Sequence, residues 1–161
     1  MPLGDSKPQI TAAALAGYFA VLAMEPSAAF YNGLRDEGAV SSEICWAWMS
    51  MVLFAADFTV QHVSGIQPDS DHPANRVLTG LIGNIKAVGF KTDANLQKIE
   101  VRLRMFADLI TRRASSVEIG GALTESVGLA VTNPVLLFQT GQRLPNLLLE
   151  VGKKFSFFEI Q

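Results

Sequence analysis

The run from Ile44 to Val63, ICWAWMSMVLFAADFTVQHV, constrains the fold more than any other stretch of this 161-residue chain. Placed on a helix at about 100° per residue, only Ser50, Asp57 and Gln61 share an arc, about 40° wide. Every other direction carries Ile44, Trp48, Met51, Val52, Leu53, Phe54, Phe58 or Val60. A helix apolar almost all round has no face to give to water and belongs at the centre of a bundle. The thirteen uncharged residues before Asp57 fall short of the roughly 20 that a bilayer span requires. The expected fold class is therefore all-α: a single-domain helical bundle of about six to eight helices, with residues 44–63 as its central apolar helix. Asp57 then has two readings. It is either the polar anchor of a pocket, with a raised pKa, or a carboxylate partnered by Gln61, Ser50 or an arginine. Buried charges are normally paired, so the partnered arrangement is the expected one.

Flanking signals place the other helices. Ser6-Lys7-Pro8-Gln9 resembles a capping box, and Gln9 to Met24 then reads as a helix ending at Glu25-Pro26. One side of it carries Leu15, Tyr18, Phe19 and Leu22; the other carries Ala13, Ala16, Gly17, Ala20 and Ala23. That smooth side allows close approach by a second helix, of this chain or of a neighbour. A short helix is expected from Pro26 to a break at Asn32-Gly33. The next opens at Ser41 or Ser42, with Glu43 in its first turn, and residues 64–75 form a loop. Further helices are expected from Ala74 to Val88 with a stop at Gly89, from Thr92 or Asp93 to Arg113, and from the capping box Ser115–Glu118. Asn133-Pro134 starts another, Gly141 stops it, Pro145 starts one more and Gly152 stops that. The tail 153–161, KKFSFFEIQ, has no helical stripe and reads as an extended arm offering Phe155, Phe157, Phe158 and Ile160 to a partner.

Charge is scarce and unevenly placed. Charged residues make up 17% of the chain, against about 25% in typical soluble domains, so part of the surface is a candidate for coverage by a partner. Residues 1–75 carry eight acids against Lys7 and Arg35, whereas residues 76–113 carry eight bases against Asp93, Glu100 and Asp108. On the helix 92–113, Leu96, Ile99, Leu103, Phe106 and Ile110 form a core stripe. Lys98, Arg102, Arg112 and Arg113, interleaved with Val101, Met105 and Leu109, form a second, basic face. Such a face fits an acidic protein surface or a strand of nucleic acid, or is an ordinary solvated face.

Other chemistry finds little support. His62 and His72 flank Asp69 and Asp71, but their spacing matches neither a zinc site nor a calcium loop, and no metal or other cofactor is expected. TGLIGNIK, residues 79–86, lacks the Gly-Lys step of a phosphate loop; close helix packing at Gly80 and Gly83 explains its glycines better. Cys45 lies in the most apolar helix with no basic neighbour, which predicts an inert thiol, and no G-x-S-x-G or Ser-His-acid arrangement can be specified. Nothing points to an enzyme. The uncharged stretch Pro8 to Met24 is Ala-rich and seventeen residues long, too short and too small-sided for a confident membrane anchor. With a single cysteine and no Asn-x-Ser/Thr sequon, a cytoplasmic setting is expected.

Three functions follow, in this order. The first is a protein-interaction or self-assembly module that uses the acidic half, the basic helix and the Phe-rich arm. The second is a nucleic-acid-binding protein acting through Lys98, Arg102, Arg112 and Arg113, against which the pI near 5.6 weighs. The third is a bundle holding a small apolar ligand, with Asp57 as polar anchor.

Overall fold

A computed structural model describes residues 6–88 and 93–161. Its described residues form seven α-helices: α1 (Ala12–Met24), α2 (Ala28–Asp36), α3 (Ser41–Phe58), α4 (Pro73–Val88), α5 (Asp93–Thr111), α6 (Ser116–Ser126) and α7 (Pro134–Phe157). Two two-residue strands, β1 (Gln9–Ile10) and β2 (Glu159–Ile160), pair in parallel. The fold is the expected all-α bundle. The expected stop at Gly89 and cap at Thr92 lie outside the described residues.

The central helix is where its apolar wheel requires it. Eleven consecutive-to-near residues of α3, from Ile44 to Ala56, are buried, and the helix packs on α1, α5 and α7. Ser50, the one polar residue in that interior, donates to the Trp46 carbonyl at 2.7 Å and so carries no unmet donor into the core. At Thr59 the ladder loosens. The hydroxyl donates to the Ala55 carbonyl at 2.8 Å, the N–H is shared between the carbonyls of Ala55 and Ala56, and a π-helical turn, Thr59–Val63, follows. By length and composition Ala12–Asp36 and Ser41–Val63 could each cross a membrane, but 72% of the apolar window in the latter is buried inside the bundle.

The smooth side of α1 is answered within the chain. Ala16, Ala20 and Ala23 are buried, and at Gly80 of α4 a methyl group would come within 2.9 Å of the Ala16 methyl. Gly83 faces open space instead, so only one of the two glycines expected at a close crossing makes it. The tightest approach is between α6 and α7. A Cβ on Gly120 would overlap the Leu137 backbone, and one on Gly141 would overlap that of Ser116.

That crossing corrects the expected break in the last helix. Gly141 is a contact residue and not a stop, and α7 runs unbroken through Pro145 and Gly152. Pro145 forfeits one i→i−4 bond, a cost of about 3 kcal/mol in a helix interior, which packing against α6 and α3 outweighs here. The N-terminal signals shift as well. Thr11, not Ser6, caps α1 through the Ala14 N–H, and Ser27 caps α2, which continues past Asn32-Gly33. Ser115 and Glu118 form the capping box read from the sequence, and Asn133 caps α7 with Pro134 behind it.

The tail differs from the extended arm in a specific way. Residues 153–157 complete α7, and only the last four residues extend. These turn back onto the same chain: Glu159 N–H donates to Pro8 O, Gln161 N–H to Ile10 O and Ala12 N–H to Gln161 O, each at 2.9 Å. Phe155 is buried and stacks on Phe19 with ring centroids 5.1 Å apart, because α7 carries it onto α1. Phe158 and Ile160 are half-buried against the core, and Phe157 alone of the four stands exposed.

Candidate functional site

The helix α5 presents two environments, and they are not the two faces expected. Ile99, Arg102, Phe106 and Leu109 are buried, at a spacing of three and four residues that marks one helical face. Arg102 and Leu109, expected on a basic surface, are therefore core. Leu96, Leu103 and Ile110, at exact seven-residue intervals, are only half-buried and lie beside that face.

Those half-buried residues line an apolar groove. Two adjoining clefts, of about 380 and 470 Å³, share Asp57 and Leu103. The first lies among Leu53, Leu78, Ile82, Ile85, Leu96 and Ile99, with Lys86 and Glu100 at its edge. The second lies among Phe54, Phe58, Ala107 and Ile110, with His62, Arg104 and Thr111 at its edge. The groove exists because α5 rests mainly on α3 while α4 rests on α1, so α4 and α5 leave a gap over α3. Asp57 stands where the clefts meet. It is exposed, its Oδ1 accepts a hydrogen bond from Gln61 Nε2 at 2.6 Å, and it makes no ion pair among the described residues. Gln61 is thus its partner, one of the three expected. The π-helical turn sets His62 against Phe58, with ring centroids 5.0 Å apart and the rings tilted by 38°, and completes the polar end of the groove.

The four basic residues do not form one face: Lys98 and Arg102 share Glu43, whereas Arg112 and Arg113 lie at the far end of α5. Lys98 Nζ lies 2.9 Å from Glu43 Oε1 and 4.6 Å from the centre of the Trp46 ring. Arg102 Nη2 lies 3.1 Å from Glu43 Oε2 and donates to the Ser126 carbonyl at 3.0 Å. Burial by itself raises the Glu43 carboxyl, but hydrogen bonds and charge from Lys98 and Arg102 together hold it below its ordinary value. Farther along, Arg112 bridges Asp108 at 3.1 Å and Glu118 at 2.8 Å. Arg113 has φ 55° and ends α5 in the left-handed conformation, with the Ala114 N–H donating to Leu109 O at 2.9 Å. One acid of the acidic half, Glu43, meets two cations of the basic helix inside one molecule.

The remaining candidates serve local structure. His72 Nδ1 accepts the Ala74 N–H at 3.1 Å at the start of α4, and Asp71 lies 4.0 Å from Arg76. No group of three or more His, Cys, Asp or Glu side chains placed to hold a metal ion occurs among the described residues. Cys45 is half-buried, and burial pushes its thiol up, away from the reactive thiolate. Sequence reasoning missed Glu43 as the hub of the charge cluster and missed the groove. The seven-residue spacing of Leu96, Leu103 and Ile110 was the signal that could have separated groove from core.

No protein-family model matches this chain, and it matches no curated protein and no solved structure.

Proposed function

We propose that the protein is a non-enzymatic helical interaction module that receives an amphipathic helix of a partner protein in the groove between α3, α4 and α5. The single observation that carries this reading is the pair of adjoining apolar clefts meeting at Asp57. From Leu96 to Ile110 the groove follows α5 for about 21 Å, the length of about four turns of a docked helix. Helix-in-groove recognition places apolar anchors at i, i+3 or i+4, and i+7, and each cleft has room for such anchors. Asp57, held by an uncharged amide, favours a partner with a lysine or arginine between its anchors. The charge-poor composition fits a chain with part of its surface covered.

In this reading association rests on the apolar wall of α5 and not on its basic side chains, since Lys98, Arg102 and Arg112 already have carboxylate partners. Selection from a display library of amphipathic helical peptides tests the reading. Enriched sequences should share apolar anchors at helical spacing with a basic residue between them, and Ala107→Glu, at an exposed position lining the second cleft, should abolish their binding. Enrichment without helical spacing, or binding indifferent to Ala107→Glu, would overturn it. Light scattering at low and high salt separates this reading from self-assembly, which would give oligomers without any peptide.

A further inference from the structure

Arg112-Arg113-Ala114-Ser115 sets two arginines three and two residues before a serine. Arginine-directed serine kinases select that spacing, because acidic side chains of the kinase pair with the two guanidiniums and hold the hydroxyl at the transferring phosphate. The fold separates this stretch from two similar ones. Lys153-Lys154-Phe155-Ser156 has the same spacing with lysines, but it lies inside α7, so its backbone is helical where a kinase needs an extended substrate. Ser116 directly follows Ser115, but it is half-buried and its hydroxyl accepts a hydrogen bond from Gln142 Nε2 of α7 at 2.6 Å.

Residues 112–115 are instead the whole link between α5 and α6, and Arg112, Arg113 and Ser115 are all exposed. Ser115 already has an extended backbone, with φ −68° and ψ 161°. Arg113 makes no ion pair among the described residues, so its guanidinium is free for a kinase carboxylate. Its left-handed φ of 55° is costly for a residue with a side chain, and straightening the link in a kinase cleft relieves that cost. Straightening releases two bonds at the end of α5, from Arg113 N–H to Ile110 O and from Ala114 N–H to Leu109 O. Arg112 Nη1 and the Ser115 hydroxyl lie on opposite oxygens of one carboxylate, Glu118, at 2.8 and 3.3 Å.

We propose that Ser115 is a phosphorylation site for an arginine-directed serine kinase that uses a nucleoside triphosphate. The Ser115 oxygen forms a bond to the γ-phosphorus, and the bond from that phosphorus to the β,γ-bridging oxygen breaks. The nucleoside diphosphate leaves with that electron pair, and the hydroxyl proton passes to a base of the kinase. The product phosphate then stands within reach of Arg112 and competes with Glu118 for its guanidinium. This inference does not depend on the groove reading.

The test is incubation of the full folded chain with magnesium ATP and the catalytic subunit of cyclic-AMP-dependent protein kinase, read by mass spectrometry of intact protein and of its peptides. One phosphate per chain should appear, on Ser115. Ser115→Asn removes the hydroxyl but keeps an N-cap on α6, so this variant folds and should take up no phosphate. Arg113→Gln removes no ion pair and leaves the fold alone, yet it should slow the initial rate at least about tenfold by deleting a charge-assisted contact with the kinase. No incorporation into the folded chain, phosphate on Ser116 or Ser156 that persists in Ser115→Asn, or an unchanged rate in Arg113→Gln would each overturn the proposal.

Discussion

Arg102 on α5 and Glu43 on α3, 59 positions apart in sequence, meet with Nη2 and Oε2 3.1 Å apart. The arginine is almost wholly buried and the glutamate largely so, whereas Lys98, the second cation on the same carboxylate, is half exposed. Removing one partner of a buried pair leaves an uncompensated charge inside the protein. Glu43→Ala is therefore expected to destabilise the fold by roughly 3 kcal/mol, and Lys98→Ala by less than about 1 kcal/mol. Denaturant unfolding of the two variants checks this, and equal losses would count against it.

The same carboxylate sets a pH dependence. Its native pKa lies below the ordinary value of 4.5, so the folded state favours the ionised form. The stability it contributes is complete above that ordinary value and is lost as pH falls through the lower native one. Between about pH 5 and about pH 3 the urea midpoint should fall more steeply for the wild type than for Glu43→Gln. Some slope should persist in the variant. Glu118, lowered by the backbone N–H of Ser115 and then by Arg112, titrates in the same direction.

Glycine substitutions should split by sign. At Gly120 and Gly141 an added methyl would overlap the backbone of the facing helix, so alanine at either is expected to cost about 3 kcal/mol or more. At Gly83 and Gly121 the same methyl meets open space within a helix, so alanine should stabilise by up to about 1 kcal/mol. Melting temperatures of the four variants separate the two classes.

How far these contacts could be read from sequence depended on their range. The central helix was legible because its apolar wheel has no surface solution, and the caps at Ser115 and Asn133 were legible because capping is decided within a few residues. The continuity of α7 was not. Glycine and proline signal a break locally, and only the backbone of α6 lying against Gly141 shows why the helix persists. On α5, periodicity found an apolar stripe but not its orientation, which depends on Glu43 drawing Arg102 inward. The groove was harder to see for the same reason: it is a gap that α4 and α5 leave over α3, and the seven-residue spacing of Leu96, Leu103 and Ile110 marks only its α5 wall.

The tail offers a paired comparison. Phe155 is buried against Phe19, so Phe155→Ala should cost about 3 to 4 kcal/mol. Phe157, two residues on and 57% exposed, should lose less than about 0.5 kcal/mol on the same change. Thermal unfolding distinguishes a tail that completes the core from one that is a free arm, for which both losses would be small.

Hydrogen–deuterium exchange of the full chain, with and without a helical peptide selected for binding, tests the interaction reading most directly. Slowed exchange is expected in the segments 53–62, 78–86 and 96–111, which supply the walls of the groove, and not along α7. Protection confined to α7 or to the tail, with the groove unchanged, would contradict it.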